Sequence, residues 1–162
     1  MKKLFLIRHA KSSWKYNVID HERPLNEKGL NDANNISLYL KADSLNMDAV
    51  YCSDAVRTIT TANIFFENLK MDSSKLQLNH DLYDFSGSNL IRVIKECDNR
   101  INHLMVFGHN HAITAFVNTF GSIPIDNVPT CGVVCIEFNI DNWKDLNKGK
   151  TLSTLFPKDL RK

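Results

Sequence analysis

The chain has 162 residues, 43% of them hydrophobic and 23% charged, with a net charge of +2. This size is enough for one domain with its own core, and the even balance of charge excludes a nucleic-acid-binding polycation. No apolar run approaches the ~20 residues a membrane helix needs, so no membrane partner is expected.

The first apolar run is Lys3–Ile7, read as a strand that stops at Arg8-His9. Its apolar part, Leu4–Ile7, is too short for a signal-peptide core and no small-residue cleavage pattern follows. A cytoplasmic protein is therefore expected. Lys11 and Ser12 open a loop, and Trp14 is read as a packing residue.

Residues 28–42 predict a helix with Leu30, Ala33, Ile36 or Ser37, and Leu40 on one face. Ala49–Cys52 predicts a second strand. Ser53 is the expected N-cap of a helix whose apolar positions are Ala55, Ile59, Ala62, Phe66 and Leu69. A short strand is expected at Leu76–Leu78, and a helix at 87–97 around Leu90, Ile91, Ile94 and Cys97.

His103–Phe107 predicts a strand running into Gly108-His109. A helix carrying Ile113, Phe116, Val117 and Phe120 follows, with Gly121 as its C-cap. Gly132–Phe138 and Thr151–Phe156 complete the chain as an expected antiparallel pair. Strands alternating with helices imply an α/β three-layer sandwich: a mainly parallel sheet, helices on both faces and an antiparallel edge strand. No repeat or linker divides the chain, so a single domain over 1–162 is expected.

Cys52, Cys97, Cys131 and Cys135 are expected reduced and buried, given the absence of an export signal. Cys131 and Cys135, four apart in a predicted strand, share one face and are read as two small buried thiols.

In open α/β sheets reactive groups gather beyond the carboxyl ends of the strands. Three ends carry chemistry: Arg8-His9, Ser53-Asp54 with Arg57 one turn on, and Gly108-His109-Asn110. Arginine donates paired hydrogen bonds that suit a phosphate, and a helix N-terminus adds free amides. Histidine, largely unprotonated at neutral pH, can act as nucleophile. Two arginines and two histidines around one pocket point to phosphoryl transfer through a phosphohistidine, with no metal and no other cofactor. The spacing His109-x-His111, with His9, His21 or an aspartate, would also permit metal ligands, but no further ligand motif accompanies it.

These motifs resemble those of the histidine phosphatase superfamily, the phosphoglycerate mutase-like fold. Arg8-His9-Ala10 is similar to its Arg-His-Gly signature, Ser53–Ala62 to its second motif, and Gly108-His109-Asn110 to its third. Arg8–Ser12, the segment Arg23-Pro-Leu-Asn-Glu-Lys-Gly29 and the short chain resemble the SixA-like phosphohistidine phosphatases. The resemblance implies His9 as nucleophile, Arg8 and Arg57 as a clamp on the phosphoryl oxygens, and His109 completing the pocket. Ser12 and Arg23 would be further phosphate-binding residues at its edge. Two departures stand out: Ala10 replaces glycine, and His111 stands where these chains more often place proline.

A general acid is harder to assign. Asp81 and Asp84 lie in the region where larger members place one, without a motif around them. A phosphorylated imidazole leaves readily once its other nitrogen is protonated, so a missing acid favours that substrate over an alkyl phosphate. The expected partner is a phosphorylated protein, for instance a histidine-phosphotransfer domain. The alternatives are small phosphate esters or other phosphoproteins with the same mechanism, and a phosphate-binding module without turnover.

Overall fold

The structure, a computed structural model, describes residues 1–41 and 45–161. Among the described residues, ten strands and α-helices follow the expected order: β1 (Lys2–Arg8), α1 (Glu27–Lys41), β2 (Ala49–Cys52), α2 (Val56–Leu69), β3 (Leu76–Leu78), α3 (Ser88–Lys95), β4 (His103–Gly108), α4 (Ala112–Phe120), β5 (Val133–Phe138) and β6 (Lys150–Leu155). The predicted last residue of the first helix, Ala42, lies outside the described residues. No helix among the described residues is long and apolar enough to cross a membrane.

The strands form one sheet in the order β3-β2-β4-β1-β5-β6. Strands β3, β2, β4 and β1 pair in parallel, and β5 pairs antiparallel with β1 and β6. The antiparallel edge is thus a hairpin. Both faces are covered, which explains why β1 and β4 read as continuous apolar runs instead of alternating ones. Leu4, Leu6, Leu104 and Val106 pack on one side with Leu90, Ile94, Ile113 and Phe116 of α3 and α4. Phe5, Ile7, Met105 and Phe107 pack on the other with Ala33, Ile36, Ala62 and Phe65 of α1 and α2.

Several local expectations shift. In α1 Leu30 is exposed, and the buried face includes Asp32, which pairs with Lys28 and Arg161. The N-cap of α2 is Ala55, because the Ser53 hydroxyl is engaged in the pocket described below. The inward face of α2 accordingly carries Arg57, Thr58 and Thr61 beside Ala62, Phe65 and Phe66. Gly121 caps α4 in extended, not left-handed, backbone. Cys131 precedes β5, so it does not share a strand face with Cys135; all four cysteines are free and buried.

Candidate active site

Strands β2, β4 and β1 lie side by side, so their carboxyl ends form one rim. The amide of His9 bonds the Gly108 carbonyl and that of Ser53 bonds the Phe107 carbonyl, both at 3.1 Å. Residues 8–9, 53–57 and 108–109, remote in sequence, meet there. The rim opens into a pocket of about 490 Å³ whose lining includes Arg8, His9, Lys11, Ser12, Trp14, Asp20, Arg23 and Arg57 together with Phe85, Asn110 and Asn127.

His9 is held in one tautomer. Its Nδ1 lies 2.7 Å from the Ala10 carbonyl, which can only accept, so Nδ1 carries the proton and Nε2 presents its lone pair. Arg57 Nε donates to that Nε2 at 3.3 Å. Burial lowers the imidazole's pKa; the Ala10 hydrogen bond opposes this, the charges of Arg57, Arg8 and Arg23 reinforce it, and the result is about 3. His9 is therefore neutral across the physiological range. Ala10 needs no glycine, because among the described non-glycine residues only Lys70 and Cys131 take positive φ.

His109 lies behind His9, ring centroids 5.2 Å apart, and is covered by the rings of Tyr83 and Phe85. Its Nε2 is 2.8 Å from Ser53 Oγ and 3.2 Å from Thr58 Oγ1. A hydroxyl donating to Nε2 leaves the proton on Nδ1, a buried nitrogen with no protein partner. Burial, then the proximity of His9 and Arg57, lowers His109 to about 2. Thr61 completes the frame by accepting from the Ala10 amide at 3.0 Å and donating to the Arg57 carbonyl at 2.8 Å.

Arg8 donates from NH1 to the Val128 carbonyl at 2.9 Å, and its Nε is buried without a partner. Burial, and then the neighbouring charge of Arg57, lowers its pKa. Arg23 also has a buried nitrogen, NH1, without a partner, and its guanidinium lies 3.5 Å from the centroid of the Trp14 ring. Trp14, read as a packing residue, is instead exposed beneath that cation. Arg8 and Arg23 thus bring two buried, unpartnered donors to one pocket, an arrangement suited to an anion.

The segment Arg23–Gly29 is built around this loop. Leu25 bridges to Ser12, the Asn26 side chain caps α1 through the Gly29 amide at 2.8 Å, and the Asn26 amide bonds the Lys11 carbonyl at 3.0 Å. Gly29 has no room for a side chain: a Cβ there would lie 2.1 Å from the Lys11 carbonyl oxygen.

Neither candidate acid faces the pocket. Asp81 is exposed and pairs with Arg92 at 3.1 Å. The Asp84 carboxylate accepts from the amides of Ser86, Gly87, Asn89 and Leu90, an N-terminal cap for α3 that leaves it no free role. The carboxylate at the pocket is Asp20, three residues before Arg23. Its Oδ2 accepts from Arg57 NH2 at 2.9 Å and from the Tyr83 hydroxyl, and its Oδ1 from Arg23 Nε at 3.1 Å. Burial would raise its pKa, but the hydrogen bonds from Tyr83, Arg57 and Arg23 and the Arg57 charge outweigh that and hold it at about 2. Nothing in the sequence pattern signalled Asp20 or Tyr83. The metal spacing His109-x-His111 gains no third ligand among the described residues, where the one such cluster is His21, Asp54 and His80.

The fold is shared with solved structures of low identity. A protein histidine phosphatase SixA complexed with tungstate superposes with a TM-score of 0.79 at 18% identity, covering 98% of this chain and 99% of that one. A protein named SixA from Agrobacterium tumefaciens gives 0.80 at 19% identity, over 95% and 97%. An uncharacterized Mycobacterium tuberculosis protein, Rv1276c, is 26% identical over 153 residues, 88% of this chain and 93% of its own. The family model for the histidine phosphatase superfamily (branch 1) matches residues 4–89, which carry the first two motifs and more than half of the chain. With the third motif completing the same rim, the chain belongs to the histidine phosphatase superfamily.

Proposed function

We propose that this chain is a phosphatase that removes phosphate from phosphohistidine on a protein, with His9 as the covalent carrier. The observation that carries the reading is the tautomer of His9: a neutral imidazole whose Nδ1 is committed to the Ala10 carbonyl and whose Nε2 lone pair faces the arginine-lined pocket. Nε2 attacks phosphorus, the P–N bond of the substrate breaks, and its imidazole, protonated on the other nitrogen, departs neutral. Water then attacks phospho-His9 and releases inorganic phosphate. Arg8 and Arg57 hold the phosphoryl oxygens, and His109 donates from Nδ1 to the transferring group. Ser12 and Arg23 lie at the edge of the same pocket and complete the anion site.

Two features support the protein phosphohistidine over an alkyl ester. The pocket carboxylate, Asp20, is ionised and clamped by arginines, so it holds no proton to give a poor leaving group. The similar SixA structure is named as that of a protein histidine phosphatase, which favours a protein substrate. Free, buried cysteines agree with a reducing compartment such as the cytoplasm. A histidine-phosphotransfer domain is a suitable partner.

The test is turnover of a defined phosphohistidine protein beside small phosphate esters, with wild type and His9→Ala compared. The reading predicts faster turnover of the phosphohistidine protein and labelled phosphate trapped on an acid-labile, base-stable site. Loss in His9→Ala should be at least about 10³-fold, as for other nucleophile deletions. Full activity in His9→Ala rejects the mechanism, and preference for the esters rejects the substrate.

A further inference from the structure

Beside the phosphate pocket, the turn after β2 carries a second cluster of donors. Asp54 Oδ1 lies 2.8 Å from His21 Nε2, and both Asp54 oxygens lie 3.0 Å from His80 Nδ1. The three ligand atoms fall within 4.8 Å of one another. They come from three separate segments: the 3₁₀ turn Asp20–Glu22, the β2–α2 connection, and the 3₁₀ turn His80–Leu82. All three side chains reach solvent, His80 most of all, so an ion has a path in.

We propose that His21, Asp54 and His80 form a binding site for a late first-row divalent cation of the zinc type. Two imidazoles and one carboxylate suit Zn²⁺, Co²⁺ or Ni²⁺, whereas Mg²⁺ and Ca²⁺ require a shell of six or more oxygens. Metal–ligand bonds of about 2.0–2.2 Å in tetrahedral geometry set donors roughly 3.4 Å apart. Small side-chain rotations reach that spacing from the observed contacts. The cation takes the lone pair of each coordinating nitrogen, and each neutral ring keeps its proton on the other nitrogen. Three protein ligands leave a fourth position for water or a substrate oxygen. With Asp54 ionised and both rings neutral, a divalent ion reverses the cluster's net charge from negative to positive, next to a phosphorylated ligand's approach. It also ties together the two turns that hold Asp20 and Tyr83, whose ring contacts both imidazoles.

The experiment is titration of chelator-treated full-length protein with Zn²⁺ by calorimetry and with Co²⁺ by visible absorption. One equivalent should bind, with a cobalt d–d band, and Mg²⁺ at the same concentration should not compete. His80→Ala should weaken Zn²⁺ binding at least about tenfold, because loss of even an outer partner of a ligand costs 10–100-fold. His21→Ala should do the same; should it not fold, since it borders Asp20, the exposed His80 decides alone. His111→Ala, an exposed histidine outside the cluster, should bind as wild type does. No saturable one-equivalent binding, or binding unaffected by His80→Ala, overturns the proposal. None of these readouts needs a phosphorylated substrate, so the result is independent of the proposed activity.

Discussion

Asp20 grips Arg57 twice: its main-chain carbonyl accepts from NH1 at 2.7 Å and its carboxylate from NH2 at 2.9 Å. The guanidinium proposed to hold a phosphoryl group is thus already paired with an anion of this chain. A phosphate entering the pocket must share or displace that carboxylate. Asp20→Asn keeps the side-chain shape but removes the charge and one of the two acceptor oxygens, weakening its hold on the arginines by about 1 kcal/mol or more. Tungstate should therefore inhibit Asp20→Asn about fivefold more tightly than wild type. An unchanged or weaker inhibition constant would show that Asp20 orients Arg57 without competing for it.

The two imidazoles give a pH dependence with a definite sign. His9 and His109 are lowered to about 3 and about 2, first by burial, from an ordinary value of 6.5. The unfolded chain then binds more protons than the native one below pH 6.5, so this contribution to stability is full above that pH and is lost as pH falls toward 3. Each group contributes a slope of at most about 1.4 kcal/mol per pH unit in that window. Imidazole nitrogen resonances of His9 and His109 should not titrate between pH 5 and 8, and urea midpoints should fall from pH 7 to pH 5. A titration near 6.5 for His9 would contradict its buried, neutral state.

The four strand-end residues were legible because their positions follow from two local signals. A continuous apolar run marks each buried parallel strand, and its carboxyl end is where such sheets place chemistry. Arg8, His9, Arg57 and His109 all sit on that rim. Asp20 and Tyr83 were not legible, because Asp20 meets Arg57 across 37 residues and Tyr83 across 63, from loops with no periodicity. Ser53 departs from its expected capping role for a different reason. A serine before a helix is a good cap, yet its hydroxyl serves the His109 ring here and an alanine takes the cap position. In α1 the apolar pattern placed Leu30 inward, but the salt-bridged Asp32 took the buried place.

Ser53 therefore offers a test of positioning without touching substrate. It is fully buried, and its hydroxyl lies 2.8 Å from His109 Nε2. Ser53→Ala leaves that nitrogen with Thr58 alone at 3.2 Å and frees the ring to take the other tautomer. We expect a loss of about 1–3 kcal/mol in stability from the underpaired buried group. Turnover should fall about tenfold or more, with the Nδ1-protonated signal of His109 diminished in nitrogen spectra. A folded variant with kcat within twofold and an unaltered tautomer would remove Ser53 from the mechanism.

Gly29→Ala sets two physical expectations against each other. Alanine inside a helix is ordinarily favoured over glycine by about 1 kcal/mol. Here its Cβ would lie 2.1 Å from the Lys11 carbonyl oxygen and 2.9 Å from the Lys11 amide nitrogen, and both are backbone atoms. That carbonyl also accepts from the Asn26 amide, so it cannot turn aside without breaking the contact that seats the loop. The steric term should win, with a net destabilisation of about 1–3 kcal/mol by urea unfolding. Because Lys11 and Ser12 line the pocket, anion affinity should fall with it. A stabilised Gly29→Ala variant would mean that α1 can draw away from the loop, and that the Arg23–Gly29 segment does not set the pocket's edge.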